Sequence, residues 1–80
     1  MPNQDRPLRF RELVTKLKRF GIVEHPQKGK GSVKKFIGIV EGRKQGYSIH
    51  AHSENDEIDR HYLRAIRDRF KIPADAFYDD

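Results

Sequence analysis

His50 and His52 are the residues best suited by type and spacing to move protons. They lie in Tyr47-Ser48-Ile49-His50-Ala51-His52, whose apolar and polar residues alternate, so in a strand both imidazoles leave one face. Imidazole titrates near neutrality and both takes and gives protons, which suits acid–base cleavage of a phosphodiester. The pair could also share a metal ion, but that needs a third ligand, and no carboxylate is obviously placed beside it. No metal site and no cofactor are therefore expected. The densest positive cluster is Lys28-Gly29-Lys30-Gly31, followed by Lys34 and Lys35. Glycines allow close backbone approach, and ammonium groups neutralise phosphates and release counterions. The spacing is not that of a nucleotide-binding phosphate loop. The acidic run Glu54, Asp56, Glu57 and Asp59 reads as helix capping and macrodipole complement. His25 and His61 read as solvated or packing residues. No nucleophilic serine elbow and no paired glycosidase-like carboxylates appear, and the strands lack the alternating aromatics of a single-strand RNA-binding sheet.

Eighty residues suffice for one domain. Hydrophobic residues are 35% of the chain, which is thin for a small domain that buries a smaller share of its surface. The pattern is nevertheless too regular for disorder. The absence of cysteine excludes disulfides and thiolate metal sites. Lys and Arg number 17 against 12 Asp and Glu, a formal charge of +5. Residues 1–50 carry 12 basic against 4 acidic side chains, a balance of +8, and residues 51–80 carry 5 against 8, a balance of −3. That asymmetry points to a surface that faces a polyanion. Met1 to Arg6 has no apolar signal-peptide core, and no apolar run approaches the roughly 20 residues of a membrane span. A cytoplasmic protein with no membrane partner is expected.

These groups need elements to hold them. Residues 1–7 read as a polar arm, with Asp5 offering an N-cap and Pro7 in the first helical turn; residues 8–80 form the domain. Phe10, Leu13, Val14, Leu17 and Phe20 predict a helix from Leu8 to Phe20, stopped by Gly21. Its polar face carries Arg9, Arg11, Lys16, Lys18 and Arg19. Ile22 to Gln27 predicts a short edge strand, because Pro26 cannot donate to a ladder. Ser32 to Val40 is the strongest strand, residues 41–46 a polar loop, and Tyr47 to His52 the third strand. A second helix is predicted from Asp59 to Phe70, with Pro73 opening one more turn whose Phe77 could fold back on the core.

The fold class expected is α+β: a two-layer α-β-β-β-α sandwich, a three-stranded antiparallel sheet with two helices on one face. If Phe36 and Val40 point to the helices, Val33, Lys35, Ile37 and Ile39 point outward, beside Ser48, His50 and His52.

In order and spacing, the stretch from Phe10 to Phe77 resembles the HicA-type toxins of bacterial toxin–antitoxin pairs. The resemblance rests on Leu13, Leu17 and Gly21, Lys30-Gly31-Ser32 leading to Phe36, Ile49 and His52, Leu63-Arg64-Ala65-Ile66, Ile72 and Phe77. It implies a double-stranded-RNA-binding-like fold, mRNA endoribonuclease activity and neutralisation by a HicB-type antitoxin. Family members read Gly-Ser-His where this chain reads Gly31-Ser32-Val33, so the implied catalytic histidine is a valine here. The proline usual before the late histidine is His50.

The expectation is thus a basic RNA-binding domain with weakened or lost cleavage. His50 and His52 are the proton-transfer candidates, with Lys28, Lys30, Lys34, Lys35, Arg11 and Lys18 on phosphates. The alternative is a non-enzymatic interaction module whose open sheet face binds an antitoxin-like partner or a second copy, the chain being a monomer or weak homodimer.

Overall fold

The computed structural model describes residues 5–25 and 33–78; Lys28 and Lys30 lie outside them. The elements run β1 (Leu8–Arg9), α1 (Phe10–Lys18), β2 (Val23–His25), β3 (Val33–Val40), β4 (Arg43–His50), β5 (Glu57–Ile58), α2 (Arg60–Phe70) and α3 (Ala74–Phe77). The three-stranded antiparallel sheet has the order β2-β3-β4, and β1 pairs separately with β5. This is an α+β domain. Among the described residues no helix is long and apolar enough to cross a membrane.

The first helix starts at Phe10, not Leu8. Leu8 and Arg9 are extended and pair with Ile58 and Glu57, and Leu8 is buried there. Asp5 therefore does not cap α1. The Phe10 and Arg11 N–H groups donate instead to the carbonyls of Asp56 (2.8 Å) and Glu54 (3.0 Å), while Glu12 accepts from the Arg9 N–H. Pairing brought the acidic segment to this helix end, where its main chain satisfies the orphan donors. Gly21 ends α1 as expected, at φ +78°, with N–H bonds from Gly21 to the Lys18 carbonyl and from Ile22 to that of Leu17. At the end of α2, Lys71 takes the same left-handed role at φ +55°, and the Ile72 N–H reaches the Arg67 carbonyl.

The expected polar loop of residues 41–46 is a tight turn followed by strand. Glu41 and Gly42 both have positive φ, 52° and 79°, as a two-residue hairpin turn requires. Pairing resumes at once, with Val40 opposite Arg43. Arg43 to Gly46 show no apolar alternation, so β3 templates a strand that their own composition conceals. At its other end β4 stops at His50, so His52 lies beyond the strand.

The core gathers on one face of β3. Phe36 is fully buried, and its ring centroid lies 5.9 Å from that of Phe10. A Cβ on Gly38 would stand 2.6 Å from Ile22 Cγ1 and 3.4 Å from Phe70 Cε1. Helices α1 and α2 thus reach the same face, with Leu13, Leu17, Leu63 and Ile66 fully enclosed between them. Phe77 folds back as expected, stacking on Phe20 and meeting Tyr78 edge-on.

Asp5 ties the chain's two ends together. Its carboxylate accepts from Arg67 Nε at 2.7 Å and Nη2 at 2.6 Å, and from the Tyr78 hydroxyl at 3.0 Å. Arg6 lies over the Tyr78 ring, 4.5 Å from its centroid.

Candidate nucleic-acid interface

Strand alternation sets the composition of the exposed sheet face. Phe36 and Gly38 are buried, so Val33, Lys35, Ile37 and Ile39 face the other way; Ile39 is 67% exposed. Cross-strand pairing extends this face: His50 is opposite Val33, Ser48 opposite Lys35, Gly46 opposite Ile37 and Lys44 opposite Ile39. On the other side Val23 is opposite Ile37, and His25 opposite Lys35. Directly opposed residues share a face, so two lysines and two histidines stand on one surface.

Lys35 leans across β4, where Gly46 leaves room: a Cβ there would meet Lys35 Cε at 3.1 Å. His25, Lys35, Ile37, Lys44 and Gly46 together line a depression of about 340 Å³. Three basic side chains around an aliphatic floor can take a phosphate and the sugar beside it. This lean carries Lys35 toward Lys44 and away from His50.

Among the described residues, the expected phosphate contacts Lys34, Lys35, Arg11 and Lys18 do not form one cluster. Lys34 shares its face with Phe36 and lies opposite Ile49, so Lys34 and Lys35 leave opposite sides of β3. Arg11 is on α1, in the other layer. There it joins Arg6, Thr15, Lys16, Arg19 and Glu12 around a groove of about 390 Å³; Lys18 is exposed on the same helix but does not line it. Arg11, Thr15 and Arg19 recur every fourth residue along one helical stripe, a spacing legible in the sequence. Arg6 was not legible as part of this groove, because its place depends on Tyr78, far away in the chain.

The two histidines sit differently. His50 is exposed at the end of β4. The neighbouring pocket of about 150 Å³ is lined by Ile49, His50, Glu57, Ile58, Asp59 and Tyr62. The His52 backbone N–H is held by Asp56 Oδ2 at 2.6 Å, and Ser53 Oγ donates to the other carboxylate oxygen. These bonds, the His52 one foremost, keep the Asp56 carboxyl below the usual carboxylate range. Of the acidic run, Asp59 caps α2 by accepting from the His61 N–H. Glu57 and Tyr62 share this pocket with His50, a neighbourhood that no local spacing in the sequence marks. Among the described residues no three His, Asp or Glu side chains are grouped to hold a metal ion.

The chain matches no family model, no curated protein and no solved structure.

Proposed function

We propose that this protein is a small RNA-binding domain of the HicA type, with a double-stranded-RNA-binding-like arrangement, in which His50 takes the part of the missing family histidine. The observation that carries the reading is the β3–β4 register. Val33, where the resemblance expects the catalytic imidazole, has His50 as its direct cross-strand neighbour on the exposed face. An imidazole there reaches nearly the same space from the adjoining strand, since opposed Cβ atoms lie about 4.5–5.5 Å apart. The Lys35–Lys44–His25 depression lies further along the same face and would hold a flanking phosphate.

Cleavage at this surface would proceed by attack of a ribose 2′-hydroxyl on the adjacent phosphorus. His50 accepts the hydroxyl proton, the bond from phosphorus to the 5′-oxygen breaks, and that oxygen takes a proton on leaving, from His52 or from water. A 2′,3′-cyclic phosphate and a 5′-hydroxyl result. The RNA would be mRNA and the neutralising partner a HicB-type antitoxin, as the resemblance implies.

The test is incubation of the purified chain with RNA in the presence of chelator, over a salt series. RNA retention that falls steeply with salt is expected, and His50→Ala should slow any cleavage by about 100-fold or more. Undiminished cleavage in that variant removes His50 from the reaction. Salt-insensitive or absent RNA retention overturns RNA binding altogether.

One observation favours a second reading, a protein-interaction surface: Ile39 is 67% and Val23 50% exposed, with Ile37 between them in the pairing. Under that reading the chain self-associates or captures an antitoxin-like subunit through this face. Ile39→Lys would then abolish association and leave RNA retention no weaker.

A further inference from the structure

Among the described residues, the pocket beside His50 is acidic and aromatic on the strongly basic chain that carries it. Its floor is Ile49 and Ile58, which are 3% and 4% exposed. Its walls are His50, Glu57, Asp59 and Tyr62. Tyr62 stands on the first turn of α2 with 54% of its surface exposed, beside the buried Leu63. The volume is about 150 Å³, room for one planar ring system and too little for a whole nucleotide.

We propose that this pocket holds a single RNA base beside the scissile linkage and selects guanine. The inference rests on the RNA-binding reading and adds a base preference to it. An exposed aromatic side chain at the rim supplies a stacking surface, which every base can use. Selection comes from the carboxylates. One Asp59 oxygen accepts from the His61 N–H as the α2 N-cap, so we assign the paired reading to Glu57, whose side chain does not cap the helix. A carboxylate offers two parallel acceptors and matches an edge that presents two adjacent N–H donors. Guanine alone among the four bases has such an edge, from its ring N1–H and exocyclic amino group. Adenine and cytosine present one donor beside an acceptor, and uracil one donor between two acceptors. A negative carboxylate also repels a misplaced phosphate, so a base rather than backbone enters here. His50 on the pocket wall then faces the sugar–phosphate next to the held base.

The experiment measures binding of the full chain, in chelator at low salt, to short uridine oligomers carrying one central guanosine, inosine, adenosine or cytidine. The guanosine oligomer should bind about tenfold more tightly than the adenosine and cytidine ones, and inosine, which lacks the amino group, should lose most of that advantage. Glu57→Gln should erase the preference and leave affinity for plain oligouridine unreduced. Tyr62→Ala should weaken every oligomer several-fold, and Tyr62→Phe should not. Both side chains are exposed, so neither substitution removes core packing. Equal binding of all four oligomers, or a preference that survives Glu57→Gln, overturns the guanine pocket and leaves RNA binding intact. Failure to retain any oligomer overturns the pocket, and failure to retain base-paired RNA as well overturns the RNA reading itself.

Discussion

Val33 and His50 face each other across the β3–β4 ladder. An imidazole introduced at Val33 would therefore stand directly beside an existing one. Two imidazoles so placed supply the two proton transfers of phosphodiester cleavage, one neutral and accepting, the other charged and donating. Val33→His should raise RNA cleavage in chelator by about tenfold or more over the parent chain. The pH–rate profile should gain a maximum, because the two groups must hold opposite protonation states. The measurement is the release of 2′,3′-cyclic phosphate ends. A variant no faster than the parent would show that the exposed face lacks the rest of the site.

The α1 groove makes a separate prediction about affinity. Arg6 is held over the Tyr78 ring, and Arg11 lies along the same groove. Removing a phosphate-contacting cation weakens binding across sequences and reduces the slope of log affinity against log salt by about 1. Arg11→Gln should do both, whereas Lys18→Gln, outside the groove, should change the slope little. A nitrocellulose or anisotropy titration at several salt concentrations distinguishes the two. Equal effects would mean that a diffuse helix face, not a groove, meets the RNA.

Where the apolar pattern was strong, the elements were legible. Phe10, Leu13 and Leu17 announced α1, Leu63, Ile66 and Phe70 announced α2, and Gly21 announced the stop between helix and strand. What composition hid was decided by pairing. Arg43 to Gly46 became strand because Glu41 and Gly42 accept positive φ, and Leu8–Arg9 left the helix to pair with β5. The exposed sheet face followed from alternation once Phe36 was assigned to the core, so the His50 and Lys35 surface was legible in outline. Glu57 and Tyr62 beside His50 were not, because no local spacing links a residue of β5 to the end of β4. The separation of Lys34 from Lys35 follows from strand geometry alone, since consecutive strand residues leave opposite faces.

Gly38 carries a prediction about packing. It sits in the middle of β3, where alanine would ordinarily be favoured over glycine by about 0.5–1 kcal/mol on backbone entropy. The added methyl would stand 2.6 Å from Ile22 Cγ1 and 3.4 Å from its Cβ, and Ile22 is itself buried at 3% exposure. Overpacking of this kind costs about 1–3 kcal/mol, so it outweighs the entropic gain. Gly38→Ala should destabilise the fold by about 1–2 kcal/mol in denaturant unfolding. On an Ile22→Ala background the same change should cost much less, since the clashing atom is gone. A full penalty in both backgrounds would place the strain elsewhere than at Ile22.

The Asp5–Arg67–Tyr78 contact should shape stability at both ends of the pH scale. Arg67 donates two hydrogen bonds to Asp5 and holds its carboxyl below the usual value. A depressed carboxyl stabilises the fold above its unfolded pKa, about 3.9, and that contribution fades as the pH falls below it. Tyr78 runs the other way. Burial, then the hydrogen bond to Asp5, pushes the phenol up to about 12, so its contribution is whole below the unfolded value of about 10. It is lost as the pH rises through about 12. Denaturant midpoints should therefore decline at both extremes. Asp5→Asn should flatten the acid decline and Tyr78→Phe the alkaline one, each for its own limb. The pair is largely shielded, with side chains 13% and 14% exposed, so Asp5→Ala should cost about 2 kcal/mol near neutral pH, less than a fully buried pair. An acid limb unchanged by Asp5→Asn would assign that limb to other carboxylates and leave the contact with no part in acid unfolding.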